Sequence, residues 1–272
     1  MPRFVQRHVY GTALLAWLAG AGLHVLVAWP PQRRDATPPV SGNNWGQHVP
    51  RTREGRAASG AAVESAWGSL RANLATPLTP GVTGPRVPES SFVDPAAVLW
   101  GDVRLGEHVL VAPFVSIRAD EGAPVFIGSD TNVQDGAVIH GLPTHAQGEP
   151  ILPNTYEVEG QRYSVYVAGR VSIEHQAQVH GPAWIEQDVW VGMQALVSGA
   201  HVGRGVVIEP RATVLGVRIP AARYVPAGVV VNRQSIADQL PEITASYPLR
   251  HRNRSCLKSS RTLVEAYAEH VR

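Results

Sequence analysis

The chain has 272 residues, with 24 Lys and Arg against 22 Asp and Glu, so its formal charge of +2 gives no electrostatic reason to expect a nucleic-acid partner. Its single cysteine, Cys256, excludes an intrachain disulfide and any cysteine-based metal site. A metal would have to use His, Asp or Glu.

The N-terminus carries Arg3 and Arg7 and then an apolar stretch from Val9 to Trp29, broken only by Gly, Thr12 and His24. This is a signal-sequence pattern, with Ala19-Gly20-Ala21 as a cleavage site. Residues 1–29 are expected to be a signal peptide or signal anchor, and the protein to be exported, periplasmic or extracellular. Membrane contact is expected only if that segment stays uncleaved. Residues 30–90, rich in Pro, Gly and Arg, read as a linker, with Ala61 to Leu74 the one stretch that could form a short amphipathic helix.

From Val93 aliphatic residues recur every six positions: Val93, Leu99, Leu105, Val111 and Ile117, then Ile127, Val133 and Ile139. The period resumes at Val167, Ile173, Val179, Ile185, Val191 and Val197 and, after one-residue slips, runs to Val225. Six residues are too few for a helix pair or a propeller blade, whereas a hexapeptide β-helix uses six per side of a triangular coil. Residues 91–232 are assigned to that domain. In residues 233–272, Gln234 to Leu240 reads as a short helix or turn, and Ser259 to Val271 as a helix with an apolar stripe of Leu263, Val264, Tyr267 and Val271.

Faces can be counted through the breaks. If Ile117 lies on face one, Ile127 and Val133 take faces two and three, and Ile139 returns to face one. With Gly141 to about Tyr166 looped out, Val167 and Ile173 take faces two and three, and Val179 falls on face one. Arg118, His140 and His180 then form an outward column, and two imidazoles one strand spacing apart can share a metal. His175, near a corner, points away from that column, so a trimer could complete the site across an interface.

Four segments carry a family resemblance: 116–122 (SIRADEG), 131–136 (TNVQDG), 175–182 (HQAQVHGP) and 191–195 (VGMQA). They resemble the active-site signatures of the gamma-class carbonic anhydrases. The resemblance implies an all-β fold, a left-handed parallel β-helix with a C-terminal α-helix, assembled as a homotrimer. It further implies a lyase that converts CO2 and bicarbonate, with metal ligands His140 and His180 from one protomer and His175 from the next. His-only ligation suits Zn2+, with Fe2+ or Co2+ as alternatives. Such a site lowers the pKa of bound water to about 7. Glu121 would accept its proton, Gln134 would orient the bound solvent, and Asn132 would support Gln134. Arg118 and Asp135 resemble an interprotomer ion pair, and Arg118, Asp120 and Asp135 are given structural roles.

One departure concerns the proton exit. Where the archaeal prototype carries a shuttling glutamate, this chain has Pro143, and His145, Glu149 and Glu157 are the candidate substitutes. His145 is the preferred shuttle because an unperturbed imidazole titrates near pH 6.5. Two other readings of the same fold are a non-catalytic bicarbonate-binding scaffold and a hexapeptide-repeat acyltransferase, which uses one catalytic histidine rather than three.

Overall fold

The computed structural model describes residues 69–270. The expected signal segment 1–29, and the linker as far as residue 68, lie outside the described residues. The rest forms a left-handed parallel β-helix whose three faces are sheets of eight, six and seven strands, all paired in parallel. Two small antiparallel hairpins stand outside these sheets.

The six-residue period becomes core because alternate side chains of a strand point to opposite sides. Leu99, Ile117, Ile139, Val179, Val197 and Val214 stack in register on face one and are fully buried. Ile127, Val167 and Ile185 do the same on face two, and Val133, Ile173 and Val191 on face three. The interior is too narrow for further large groups, so Ala97, Ala137, Ala177 and Ala195 fill the corners between them. Turning each corner requires left-handed backbone, found at Phe114, Gly136, Gln176, Gln194, Arg211 and Gly228 on successive coils between faces three and one. At the non-glycine positions the turn costs of order 1 kcal/mol each, offset by the stacked core.

The expected linker ends sooner than residue 90. Leu70–Arg71 is an extended strand paired with Leu99–Trp100, not part of a helix. Asn73, almost fully buried, ties this segment together by accepting from the Thr83 amide at 2.6 Å and donating to the Gly81 carbonyl at 2.8 Å. Thr79 Oγ1 donates to the Asp120 carbonyl at 2.7 Å. These buried polar bonds fix a stretch whose composition signals only turns.

The excursion after face one runs from Gly141 to Ser164 and carries two hairpins, His145–Ala146 with Glu149–Pro150 and Tyr156–Val158 with Gln161–Tyr163. Both close on a residue followed by glycine at positive φ, Gln147-Gly148 and Glu159-Gly160, the geometry of tight hairpin turns. After the last coil a short helix, α1 (Gln234–Ala237), leads to a long one, α2 (Arg252–His270), which packs over face three.

Helix α2 begins seven residues before the expected Ser259. Its first turn docks by a cation rather than by apolar residues, with the Arg252 guanidinium 5.7 Å from the centroid of Trp190. Its buried positions are Ser260 and Val264, with Cys256 half-buried, while Leu263 and Tyr267 are exposed, the Tyr267 ring lying 5.0 Å from that of Phe92. Val271 lies outside the described residues.

Candidate metal centre

Because Ile139 and Val179 point inward on face one, the residues after them point outward. His140 pairs in register with His180 on one side and with Arg118 on the other, and Trp100 continues the column beyond Arg118. The two imidazoles meet edge to face with centroids 5.5 Å apart. His180 Nδ1 lies 3.0 Å from the Gly181 carbonyl oxygen, so it carries the hydrogen and leaves Nε2 with a free lone pair. His140 Nε2 is buried without a hydrogen-bond partner. Burial above all, and then the Arg118 guanidinium, hold the His140 imidazole below its ordinary pKa and therefore neutral. A buried nitrogen without a partner beside a second imidazole with a free lone pair suits a metal ion, which needs neutral imidazole donors.

Two carboxylates adjoin this pair. Glu121 Oε1 stands 3.6 Å and Asp120 Oδ1 3.9 Å from His140 Nε2. They are not equivalent. Arg118 grips Asp120 through both Nε, at 3.2 Å, and a terminal nitrogen, at 2.9 Å, whereas it reaches Glu121 only at 3.9 Å. Asp120 is occupied by that fork, and Glu121 keeps its oxygens available.

The loop that presents Glu121 is clamped from outside. Its carbonyl accepts from the Thr144 amide at 2.9 Å and from Thr144 Oγ1 at 3.2 Å, and that same hydroxyl accepts from the Ala123 amide at 2.6 Å. Gly122 has a φ of +116°, and a Cβ there would collide with Thr144 Oγ1 and lie 2.7 Å from His145 Nδ1. His145 therefore stands against the back of the Glu121 loop, 3.2 Å from Thr144 Oγ1. Glu149 and Glu157 lie farther along the excursion, on the two hairpins.

The remaining expected residues gather elsewhere. Along the corner between faces three and one, Asn132 is wholly buried and donates to Ser172 Oγ at 2.9 Å. Its Oδ1 accepts from Gln134 Nε2 at 2.8 Å. At the same corner Asp135 Oδ2 lies 3.1 Å from His175 Nδ1, both side chains about half exposed. Within one chain, then, Arg118, Asp120, Glu121, His140 and His180 form one group, and Asn132, Gln134, Asp135 and His175 form another. Arg118 and Asp135 do not pair in the chain, each having a closer partner. Among the described residues of one chain, no three His, Cys, Asp or Glu side chains converge closely enough to hold a metal ion.

Three supporting residues escape a reading by motif: Thr79, Thr144 and Ser172. Each is a hydroxyl lodged where a backbone or amide group needs a partner. The one sequence signal is Ser172, which sits immediately before an inward aliphatic residue as Asn132 does, and the two are register partners.

No family model matches the chain. A carbonic anhydrase from Methanosarcina thermophila is 45% identical to it over 204 residues, covering 75% of this chain and 83% of that protein. Gamma carbonic anhydrase 2, mitochondrial, from Arabidopsis thaliana is 31% identical over 147 residues, covering 54% of this chain and 46% of that one. Among solved structures, a hexapeptide transferase family protein from Anaplasma phagocytophilum superposes with a TM-score of 0.52 at 18% identity, over 68% of this chain and 93% of its own. That likeness concerns the fold alone.

Proposed function

The chain belongs to the gamma-class carbonic anhydrases, and from that membership we propose that it interconverts CO2 and bicarbonate at a metal site divided between neighbouring copies of itself. The observation that carries the divided site is the separation of its parts. His140 and His180 lie on face one, whereas His175 with Gln134 lies on a corner of the same chain. A corner of one copy set against face one of the next brings both groups together. Such a contact joins two different surfaces and gives a finite assembly only by closing into a ring, and a triangular chain suits a ring of three. Large apolar side chains border both parts: Phe114, 74% exposed, and Met193 at the corner, Val138 and Leu142 beside the column. Their exposure is costly in a lone chain and is relieved by that contact.

His140, His180 and a neighbour's His175 would hold the metal, Zn2+ in our reading with Fe2+ or Co2+ as alternatives, and its charge would bring the pKa of a bound water to about 7. Glu121, which Arg118 reaches only at 3.9 Å while it grips Asp120 at 2.9 Å, accepts the proton. Gln134 has its Nε2 committed to Asn132, so its Oε1 is the end left to accept a hydrogen bond from the nucleophile and aim it at CO2. Asn132, fixed by Ser172, keeps that amide from turning. His145, behind the Glu121 loop, takes the proton outward in place of the glutamate that Pro143 displaces. Asp135 holds the exposed His175 ring and, with Arg118 and Asp120, serves to align the copies. Residues 1–29 export the protein to the periplasm or beyond.

Stopped-flow CO2 hydration tests this reading, using protein loaded with zinc or, without oxygen, with iron. Activity is expected with at least one metal, falling about 10²- to 10⁴-fold in Glu121→Ala. No activity with either metal would overturn it.

A further inference from the structure

A cationic concavity lies away from the histidine column. It is a cleft of about 680 Å3 between α2 and the corner that joins faces two and three. The column lies on face one, and His175 at the corner between faces three and one. Neither of those two surfaces includes the cleft.

Its walls have opposite characters. On the β-helix side His108, Asp130, Arg170 and Asp188 occupy successive coils at the same left-handed corner position. Both carboxylates there are already neutralised. Asp188 takes a two-pronged bond from Arg170 at 2.7 and 3.0 Å, and Asp130 pairs with Arg261 at 2.5 Å. On the other side Arg254, Lys258 and Arg261 of α2 follow one another at spacings of four and three, the spacing of a single helix face, and Arg250 lines the cleft from the turn just before the helix. Arg254 and Lys258 have no carboxylate partner among the described residues, and Arg250 bonds only to the Ala245 carbonyl and His251. Of the five cations that line the cleft, Arg170 and Arg261 are held by Asp188, Asp130 and Glu265, which leaves Arg250, Arg254 and Lys258 without a carboxylate partner.

Like charges gathered on one wall repel one another, and no carboxylate among the described residues relieves Arg254 or Lys258. The wall also presents a neutral polar group. Asn253 donates through Nδ2 to the Arg170 carbonyl at 2.9 Å, while its Oδ1 is buried with no partner. A ligand that relieves the cations carries several negative oxygens for the guanidinium and ammonium groups.

We propose that this cleft is a binding site for a small polyvalent oxyanion of the phosphate type, held by Arg254 and Lys258 of α2 and by Arg250 in the turn before it. The site is independent of the CO2 chemistry and does not rest on it.

The test is calorimetric titration of the full-length protein with inorganic pyrophosphate at constant ionic strength, beside the double variant Arg254→Gln/Lys258→Gln and the control Arg233→Gln. Arg233 is exposed and does not line the cleft. Saturable binding is expected in the wild type and in the control. It should weaken at least tenfold in the double variant, whose melting temperature without pyrophosphate should match the wild type. Equal affinity in the double variant would overturn the proposal, as would titration heats no larger than those of sodium chloride at the same ionic strength. A vesicle arm separates a soluble anion from a lipid surface. Cosedimentation with phosphatidylglycerol vesicles that pyrophosphate does not displace would also overturn it.

Discussion

Asn132 touches no reactant in the proposed mechanism, yet the aim of Gln134 depends on it. Replacing Asn132 with Ala frees the Gln134 amide and leaves Ser172 Oγ without its donor. Activity should fall about 10- to 100-fold, with metal content unchanged by elemental analysis, as for other groups that orient a metal site from behind. Retained activity would remove Gln134 from its role. Cys256 gives a second prediction at this scale. Burial against face three, and then its neighbour Glu174, push its thiol from 9.0 up to about 11. The folded chain thus holds this proton more tightly than the unfolded one. Its contribution to stability is complete below pH 9 and lost as pH rises through about 11. Reaction with a thiol-specific dye at pH 8 should be slow and should accelerate toward pH 11; fast labelling at pH 8 in the folded protein would contradict this. At the residue scale the sequence was legible wherever a side chain's direction follows from strand alternation, as at His140 and His180. Thr79, Thr144 and Ser172 were not, because a hydroxyl that satisfies one local partner leaves no periodic trace.

At the scale of elements, the six-residue period is a direct imprint of the fold, since each side of the triangle admits one inward aliphatic residue. Ile139 shows what that residue carries. It is fully buried, and its neighbour His140 takes its outward direction from it. Ile139→Ala should cost about 2–5 kcal/mol by the removal of buried methyl groups and the cavity left behind, measured by urea unfolding at fixed protein concentration. A cost under about 1 kcal/mol would mean that the coil collapses around the gap. Elements outside the period were read less well. The segment 69–90 is held by side chain to backbone bonds of Asn73 and Thr79, which no pattern of apolar residues announces. Helix α2 starts early because its first turn packs through Arg252 on Trp190, whereas a search for apolar stripes counts only aliphatic and aromatic positions.

At the scale of the whole molecule, one chain carries two separate groups of candidate side chains on different surfaces, and face counting from sequence already placed two of the three histidines together. It also set His175 near a corner and away from that column, but not its partner Asp135 at 3.1 Å, because a corner's side-chain contacts depend on how each coil turns. The divided site makes a direct prediction about mixtures. His140→Ala and His175→Ala each damage every site in a uniform assembly. When the two inactive variants are unfolded together and reassembled one to one with metal, a site whose corner comes from one variant and whose face comes from the other is intact. CO2 hydration should then return to about a quarter of the wild-type value, since a site built from two different surfaces draws each independently. If the reassembled mixture stays as inactive as its components while a wild-type sample treated identically recovers, the three histidines do not meet across two chains.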